Sequence, residues 1–292
     1  MLSNFRLHRS RRLYLSATEV SLSFTPPWLM AAVTRRFREG ALFPTHALLP
    51  SEYLPGSEMA VTKPTLRKIS GWALIIGPIQ FVVATLVEGA LIPGYGLITH
   101  WISDLGAPPN TAPHFAPGTS LWWVFSTSLI LMSLLIFVGL VGLKPVLWDR
   151  RLGKLTLLLA AVVALGGIGV AVWNEVDALV LHSISALIAF GVGWIAMVLF
   201  GVYARHDPRW KRGWSPLSLL GGFVSLVALI LYAIPTFAGR ANVPSWLASI
   251  YPGGSERLIV IPLVIWLVAV GIQLVRGIEE PAPSSSAATL ST

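Results

Sequence analysis

The sequence contains no cysteine among its 292 residues, and only 12% of its residues are charged. The absence of cysteine excludes disulfides, iron–sulfur clusters, thioether-linked haem and thiolate zinc sites. A soluble domain carries about twice this charged fraction. Because 54% of the residues are hydrophobic and the mean hydropathy is +0.72, we predict a polytopic membrane protein.

The formal net charge of +8 has two interpretations, a nucleic-acid-binding surface or a signal of membrane topology. Lysine and arginine are spread over the loops between apolar segments rather than gathered in one patch. This distribution favours the topology signal and predicts no nucleic-acid partner.

The two ends of the chain differ from its apolar middle. The first 58 residues contain seven arginines and no long apolar run, which is typical of a disordered cytoplasmic tail or of an over-extended gene start. The run MAVTKPTLRK begins at Met59 and leads directly into an apolar helix, so it favours the second interpretation. Residues 279–292 are predicted to form a disordered tail.

Six apolar stretches within residues 59–278 are long enough to cross a membrane, since a spanning helix needs about 20 apolar residues. They predict an all-α polytopic membrane bundle of six transmembrane helices. The stretches are 69–91, 120–143, 155–173, 181–203, 215–238 and 258–275.

The basic residues from Met59 onward divide unequally between the two sides of these predicted spans. Only Arg240 and Arg257 lie on one side. By the positive-inside rule, the richer side is cytoplasmic, so both termini are predicted in the cytoplasm and the protein in the plasma membrane. The richer side holds Lys63, Arg67, Lys68, Lys144, Arg150, Arg151, Lys154, Arg205, Arg209, Lys211, Arg212 and Arg276.

Polar residues gather at the opposite, predicted outer, ends of the spans. Ionisable groups at membrane depth are costly and usually face a protein interior or a wet cavity. We therefore predict a polar cluster at the outer interface. Its candidate members are Glu88, His100, Ser103, Asp104, Glu175, Asp177, His182, Glu256 and Arg257.

The stretch HWISDLGAPP, residues 100–109, is the densest part of this set. If Thr99 caps a short helix, the spacing predicts an amphipathic turn that lies at the membrane interface. Gly106 would then take the left-handed position at the end of the turn. One face of that turn would carry His100, Ser103 and Asp104.

Three roles are open for the polar cluster. The leading role is structural or binding: the side chains tie the outer loops together and recognise a lipid head group, without a cofactor and with membrane lipids as partners. The first alternative is a metal-assisted hydrolase of a lipid or envelope ester, with Glu88 or Glu175 as the base. Its zinc ligands would be His100, Asp104 and His182.

The second alternative is a small-solute transporter, which needs a polar path through the bilayer. Predicted spans two, three, five and six contain no ionisable residue, so this role is disfavoured. The sequence leaves open whether the protein is an enzyme.

Three short segments carry a resemblance to a known family. ISDLG after the first span, LHSISA at the start of the fourth, and GGSERLIVIP leading into the sixth resemble the domain-of-unknown-function 998 family. That family consists of six-span prokaryotic membrane proteins, and the resemblance covers about residues 68–276. It marks residues 102–106, His182, Glu256 and Arg257 as important positions.

A weaker similarity links the same first outer loop to the Frag1/DRAM/Sfk1 group of six-span proteins. That similarity implies lipid or lipid-anchor remodelling, as an analogy of fold alone.

Overall fold

The computed structural model describes residues 63–109, 119–210 and 212–278. The two predicted tails, 1–58 and 279–292, lie outside these residues. Within them the fold is entirely helical and has no strand.

Seven α-helices and two short 3-10 helices follow one another along the described chain. Six of the α-helices are long and apolar enough to cross a membrane, which confirms the predicted number of spans. The elements are α1 Lys63–Leu91, η1 Ser103–Gly106, α2 Trp122–Leu147, α3 Arg151–Val172, α4 Leu179–Arg205, α5 Trp214–Ala238, η2 Arg240–Asn242, α6 Ser245–Ile250 and α7 Gly253–Arg276.

Several spans are longer than their apolar stretches. Helix α1 begins at Lys63 rather than at residue 69, and α7 begins at Gly253 rather than at residue 258. Backbone hydrogen bonds of a helix continue past the hydrocarbon layer, where polar side chains reach the interface, so hydropathy alone underestimates helix length. As a consequence, Glu256 and Arg257 lie inside the first turns of α7.

The six long helices form a closed ring. Each packs against the next along the chain, in the order α1, α2, α3, α4, α5 and α7, and α7 packs back against α1. Short connections between consecutive helices favour such antiparallel neighbours. Because of this alternation, η1, the α3–α4 loop and the start of α7 all lie at one end of the bundle.

Two glycines close the ring where α1 crosses α7. A Cβ atom on Gly71 would lie 2.7 Å from the carbonyl oxygen of Gly271, and one on Gly271 would lie 2.6 Å from the carbonyl oxygen of Gly71. Only hydrogen at both positions lets the two backbones approach this closely.

Element η1 is anchored to the bundle by its own apolar residue. Leu105 is fully buried and belongs to an apolar cluster with Phe81 and Phe125. The loop therefore covers the end of the ring, and its polar residues are held at a fixed depth.

A charged network holds the loops at the other end of the ring. Arg209 forms salt bridges of 2.6 Å with both Asp149 and Asp207, and the Tyr203 hydroxyl donates to Asp207 at 2.5 Å. Burial acts to raise the pKa of Asp207, but hydrogen bonds from Arg209 and Tyr203 prevail and hold it at about 2. The network joins the α2–α3 turn to the α4–α5 loop.

Candidate functional site

Three buried carboxyl groups meet at the end of the ring that η1 covers. Asp104 of η1, Glu175 of the α3–α4 loop and Glu256 of α7 are 1%, 7% and 5% exposed. The Asp104 carboxyl is close enough to Glu175 to raise its pKa, and Glu256 is near enough to act electrostatically on both. We call these three residues the carboxyl cluster.

Backbone groups of the ISDLG stretch hold the cluster in place. The Ile102 N–H donates to Glu256 Oε2, and the Trp101 N–H donates to Asp104 Oδ2 at 3.0 Å. The Ser103 hydroxyl reaches Glu175 Oε2 at 3.4 Å. This short segment thus joins the α3–α4 loop to α7.

The prediction that His100, Ser103 and Asp104 share one face of a short helix is wrong. The helical part is the 3-10 turn Ser103–Gly106, and His100 precedes it and bonds elsewhere. Asp104 accepts the Trp101 N–H, whereas the His100 ring accepts the Gly96 N–H. Gly106 is not left-handed; a Cβ there would lie 2.8 Å from the Phe125 ring, so it serves close packing.

Arg257 binds the first loop rather than the carboxyl cluster. Its guanidinium donates to the His100 carbonyl at 2.9 Å, to the Gly253 carbonyl at 3.1 Å and to the Tyr95 hydroxyl at 2.7 Å. The Tyr95 ring stacks on the His100 ring at 5.3 Å between centroids. Burial raises the pKa of the Tyr95 hydroxyl. This arginine therefore fixes the loop; its charge also acts on the Glu256 carboxyl, although no salt bridge joins the two within the described residues.

The glycines of GGSER lie where the first turn of α7 contacts the backbone of the loop before η1. A Cβ atom on Gly253 would collide with the carbonyl oxygen of His100, and the Gly254 N–H donates to the Ile98 carbonyl at 2.9 Å. The loop that precedes η1 rests directly on the first turn of α7. Close backbone approach of this kind requires glycine.

The electrostatics of the cluster favour a bound proton. Burial, together with the neighbouring Asp104 and Glu256, raises the pKa of Glu175 to about 9. Its Oε1 is buried and lacks a hydrogen-bond partner within the described residues. The salt bridges found in the described part of the chain are those of Arg209 at the opposite end. At neutral pH, Glu175 is therefore protonated.

His182 lies beside this cluster at the start of α4. Its ring is buried, and Nδ1 donates to the Trp173 carbonyl at 2.7 Å, so the N–H tautomer is set by this bond. The carboxylate of Asp104 is near enough to act on the ring electrostatically. The residue ties the end of α3 to the start of α4.

The remaining predicted members lie outside the cluster. His100 Nδ1 accepts the Gly96 N–H at 2.9 Å. Asp177 is exposed and accepts a hydrogen bond of 2.7 Å from Asn174. Glu88 is buried in α1, and both of its carboxyl oxygens lack a hydrogen-bond partner within the described residues.

The predicted zinc site consists of His100, Asp104 and His182. Over residues 63–109, 119–210 and 212–278, no group of three or more His, Asp or Glu side chains is arranged to hold a metal. The zinc ligand set stays a prediction.

A central cavity of about 80 Å³ extends into the ring from the cluster. All six long helices contribute to its wall, which is apolar and carries four aromatic rings: Phe81, Phe125, Phe190 and Trp194. Glu256 lines the cavity at the cluster end. Ser133 lies deeper, and its hydroxyl is buried without a hydrogen-bond partner among the described residues.

A family model described as "Protein of unknown function (DUF998)" matches residues 75–273. The chain belongs to the DUF998 family. The family predicted from ISDLG, LHSISA and GGSERLIVIP is thereby confirmed, and the three motifs of this DUF998 protein are the segments that meet at the carboxyl cluster. No curated protein and no solved structure matches the chain.

Sequence reasoning missed Tyr95. Its hydroxyl accepts a hydrogen bond from Arg257 and donates one of 2.7 Å to the Trp101 carbonyl. A tyrosine in the loop IPGYG carries no local signal of such a role. Tyrosine is, however, typically used as a cation–π and hydrogen-bonding partner of a partly buried arginine such as Arg257.

Proposed function

We propose that this integral membrane protein binds an amphiphile with a positively charged amine head. The head lies at Glu256, and the apolar part enters the central cavity. The observation that supports this is the position of Glu256 and its neighbour Glu175. Both are buried carboxyls, Glu256 lines the cavity with its aromatic wall, and neither forms a salt bridge with lysine or arginine in the described residues.

The chemistry of the cavity fits such a ligand at both ends. A buried carboxylate is costly unless a proton or a cation neutralises it. An amine head supplies that cation, and the faces of aromatic rings such as Phe125 attract it further. The apolar wall then favours the ligand's carbon chain by about 25 cal/mol per Å² of buried surface.

Binding exchanges one positive charge for another at this site. Without ligand, Glu175 carries a proton because its pKa is about 9. When an ammonium group arrives, its charge favours the ionised carboxyl, so the proton leaves. Ligand affinity should therefore rise as the pH increases toward 9.

The test uses butylammonium as the probe, added to the full-length protein in dodecyl maltoside at pH 8 and followed by calorimetry. Glu256→Gln keeps the hydrogen bond from Ile102 but removes the charge. We expect it to weaken binding about tenfold or more, because the loss of a hydrogen bond to a charged group usually lowers affinity by this factor. The matched control is Glu88→Gln, which changes another buried carboxyl that does not line the cavity.

Two further measurements make this test decisive. Gly193→Leu fills the cavity without changing any charge and should also abolish binding. Butan-1-ol, which is uncharged, should bind wild type and Glu256→Gln equally weakly. Equal affinity of butylammonium for wild type, Glu256→Gln and Gly193→Leu would overturn the proposal.

The amine could come from a membrane lipid or from a free amphiphile. Dioleoyl phosphatidylethanolamine and dioleoylglycerol, added in mixed micelles, distinguish these sources. Displacement of butylammonium by the first lipid alone indicates that a lipid ethanolamine head is the ligand at Glu256, with its acyl chains outside the cavity of about 80 Å³. Displacement by neither lipid indicates a free amine.

We also propose that the carboxyl cluster faces the outside of the plasma membrane. The basis is the excess of lysine and arginine in the loops at the opposite end. Since the chain has no cysteine, single cysteines report sidedness cleanly. We expect a membrane-impermeant maleimide to label Ser245→Cys in intact cells and Gly213→Cys only after lysis; the reverse pattern would contradict this orientation.

A further inference from the structure

A groove of about 710 Å³ runs between α2 and α3 at the end of the bundle opposite the carboxyl cluster. Its walls are apolar and exposed: Val141, Leu155 and Leu158 are 53%, 41% and 60% exposed. One end of the groove is bordered by Trp148 and by three basic residues, Lys144, Arg151 and Lys154. We call it the α2–α3 groove.

The three basic residues form a compact positive site. The Nζ atoms of Lys144 and Lys154 lie 5.4 Å and 5.5 Å from the centroid of the same Trp148 ring. A cation–π contact of this kind orders a lysine side chain without cancelling its charge. The indole therefore keeps two ammonium groups beside Arg151.

Nearby acidic groups do not neutralise this site. Asp149, in the turn between α2 and α3, is held by Arg209 of the α4–α5 loop at 2.6 Å. Arg150 also contacts the α4–α5 loop, where it donates to the His206 carbonyl at 2.8 Å. Within the described ranges, no salt bridge joins Lys144, Arg151 or Lys154 to an acid.

We propose that the α2–α3 groove binds one anionic glycerophospholipid, with its phosphate between Lys144, Arg151 and Lys154 and its acyl chains along the groove. The depth of the basic residues agrees with this placement. They lie at the ends of two spanning helices, at the level of lipid phosphates, and Trp148 is a residue type enriched at that interface. Basic pockets between spanning helices are typical sites for anionic head groups.

The groove is long enough to hold most of an acyl chain. From Lys144 to Phe137 and from Lys154 to Ala161, each wall consists of eight residues, and the seven steps between them give about 10 Å of helix. One leaflet of hydrocarbon is about 15 Å thick. The groove thus covers most of a leaflet directly below the charges, whereas a soluble phosphate would leave its apolar walls without a partner.

The experiment counts lipids bound to the full-length protein by native mass spectrometry, with dioleoyl phosphatidylglycerol and dioleoyl phosphatidylcholine as probes. Wild type should bind one phosphatidylglycerol in preference to phosphatidylcholine. The groove variant combines Lys144→Gln, Arg151→Gln and Lys154→Gln. We expect it to bind phosphatidylglycerol roughly tenfold to a hundredfold more weakly, because three interfacial cations are lost.

A matched triple variant controls for net charge. Arg205→Gln, Arg212→Gln and Arg276→Gln remove three exposed cations from the same end of the bundle but outside the groove. This control should keep the preference for phosphatidylglycerol. An equal loss in both triple variants, or no loss in the groove variant, would overturn the proposal. It would equally be overturned if the groove held a second copy of the chain, seen as a dimer that the groove variant converts to monomer.

Ala161→Phe tests the apolar part of the groove separately. It leaves all three cations in place and fills the wall between α2 and α3. Phosphatidylglycerol binding should weaken severalfold. If it does not, the acyl chains do not lie in the groove and the proposed position of the lipid is wrong.

Discussion

Gly71→Leu is expected to destabilise the helix ring by about 3 kcal/mol or more, the largest effect of any single substitution considered. Its Cβ would lie 2.7 Å from Gly271 O and 2.9 Å from Val275 N. Both are backbone atoms of α7 and cannot rotate away. Helices α1 and α7 must separate, so the contact that closes the ring between the first and last spans is lost.

The control for this prediction is Gly191→Leu in the middle of α4. A Cβ at Gly191 would meet only Leu187 Cδ1, at 3.7 Å, and the gain in helix propensity is the same in both variants. Melting temperature and monodispersity in dodecyl maltoside are the measurements. If both variants melt at the wild-type temperature, the described crossing of α1 and α7 is wrong.

Glu175→Gln is expected to reduce the pH dependence of stability above pH 5. The folded protein holds the Glu175 proton up to a pKa of about 9, whereas the ordinary pKa of an exposed glutamate is 4.5. This contribution to stability is complete below pH 4.5 and is lost as the pH rises toward 9. The loss amounts to at most about 1.4 kcal/mol per pH unit.

The measurement is the melting temperature of wild type and variant at pH values from 5 to 9. The wild-type value should fall with rising pH, and Glu175→Gln, which stays neutral, should fall less and exceed wild type at pH 9. Asp177→Asn is the matched control, since it changes an exposed carboxyl of the same loop and should follow wild type. A Glu175→Gln profile parallel to wild type would show that the buried proton is absent.

The sequence alone predicts the helical architecture well because hydropathy and length are sufficient to recognise a spanning helix. The predicted spans fall within a few residues of the helices, except where polar first turns extend α1 and α7. The closing of the ring could not be predicted. Gly71 and Gly271 are 200 residues apart, and nothing local distinguishes them from glycines such as Gly191.

The predicted polar layer contains the members of the carboxyl cluster but also residues that lie elsewhere. Glu175 and Asp177 are two residues apart in one loop, yet only Glu175 is buried. The loop backbone decides which side chain turns inward, and its geometry depends on Asn174, which accepts the N–H groups of Val176 and Asp177. Charge and position in the sequence do not carry that information.

The partner of Arg257 illustrates a second limit. An acid is the expected partner of an arginine near a buried carboxyl. Here the guanidinium instead binds the His100 carbonyl and Tyr95, because Gly253 lets the first loop approach α7. The negative charge of the cluster is therefore a property of the folded arrangement, which is the basis of the proposed function.

The most direct test of that function is the number of protons released when butylammonium binds at pH 7. Calorimetric heats in two buffers with different ionisation enthalpies give this number. The exchange of a proton for an amine at the carboxyl cluster predicts release of about one proton per bound ligand in wild type, since the ammonium group favours the ionised form of Glu175. In Glu175→Gln, the release should be close to zero. Binding without proton release in wild type, or with the same release in both proteins, would contradict the exchange.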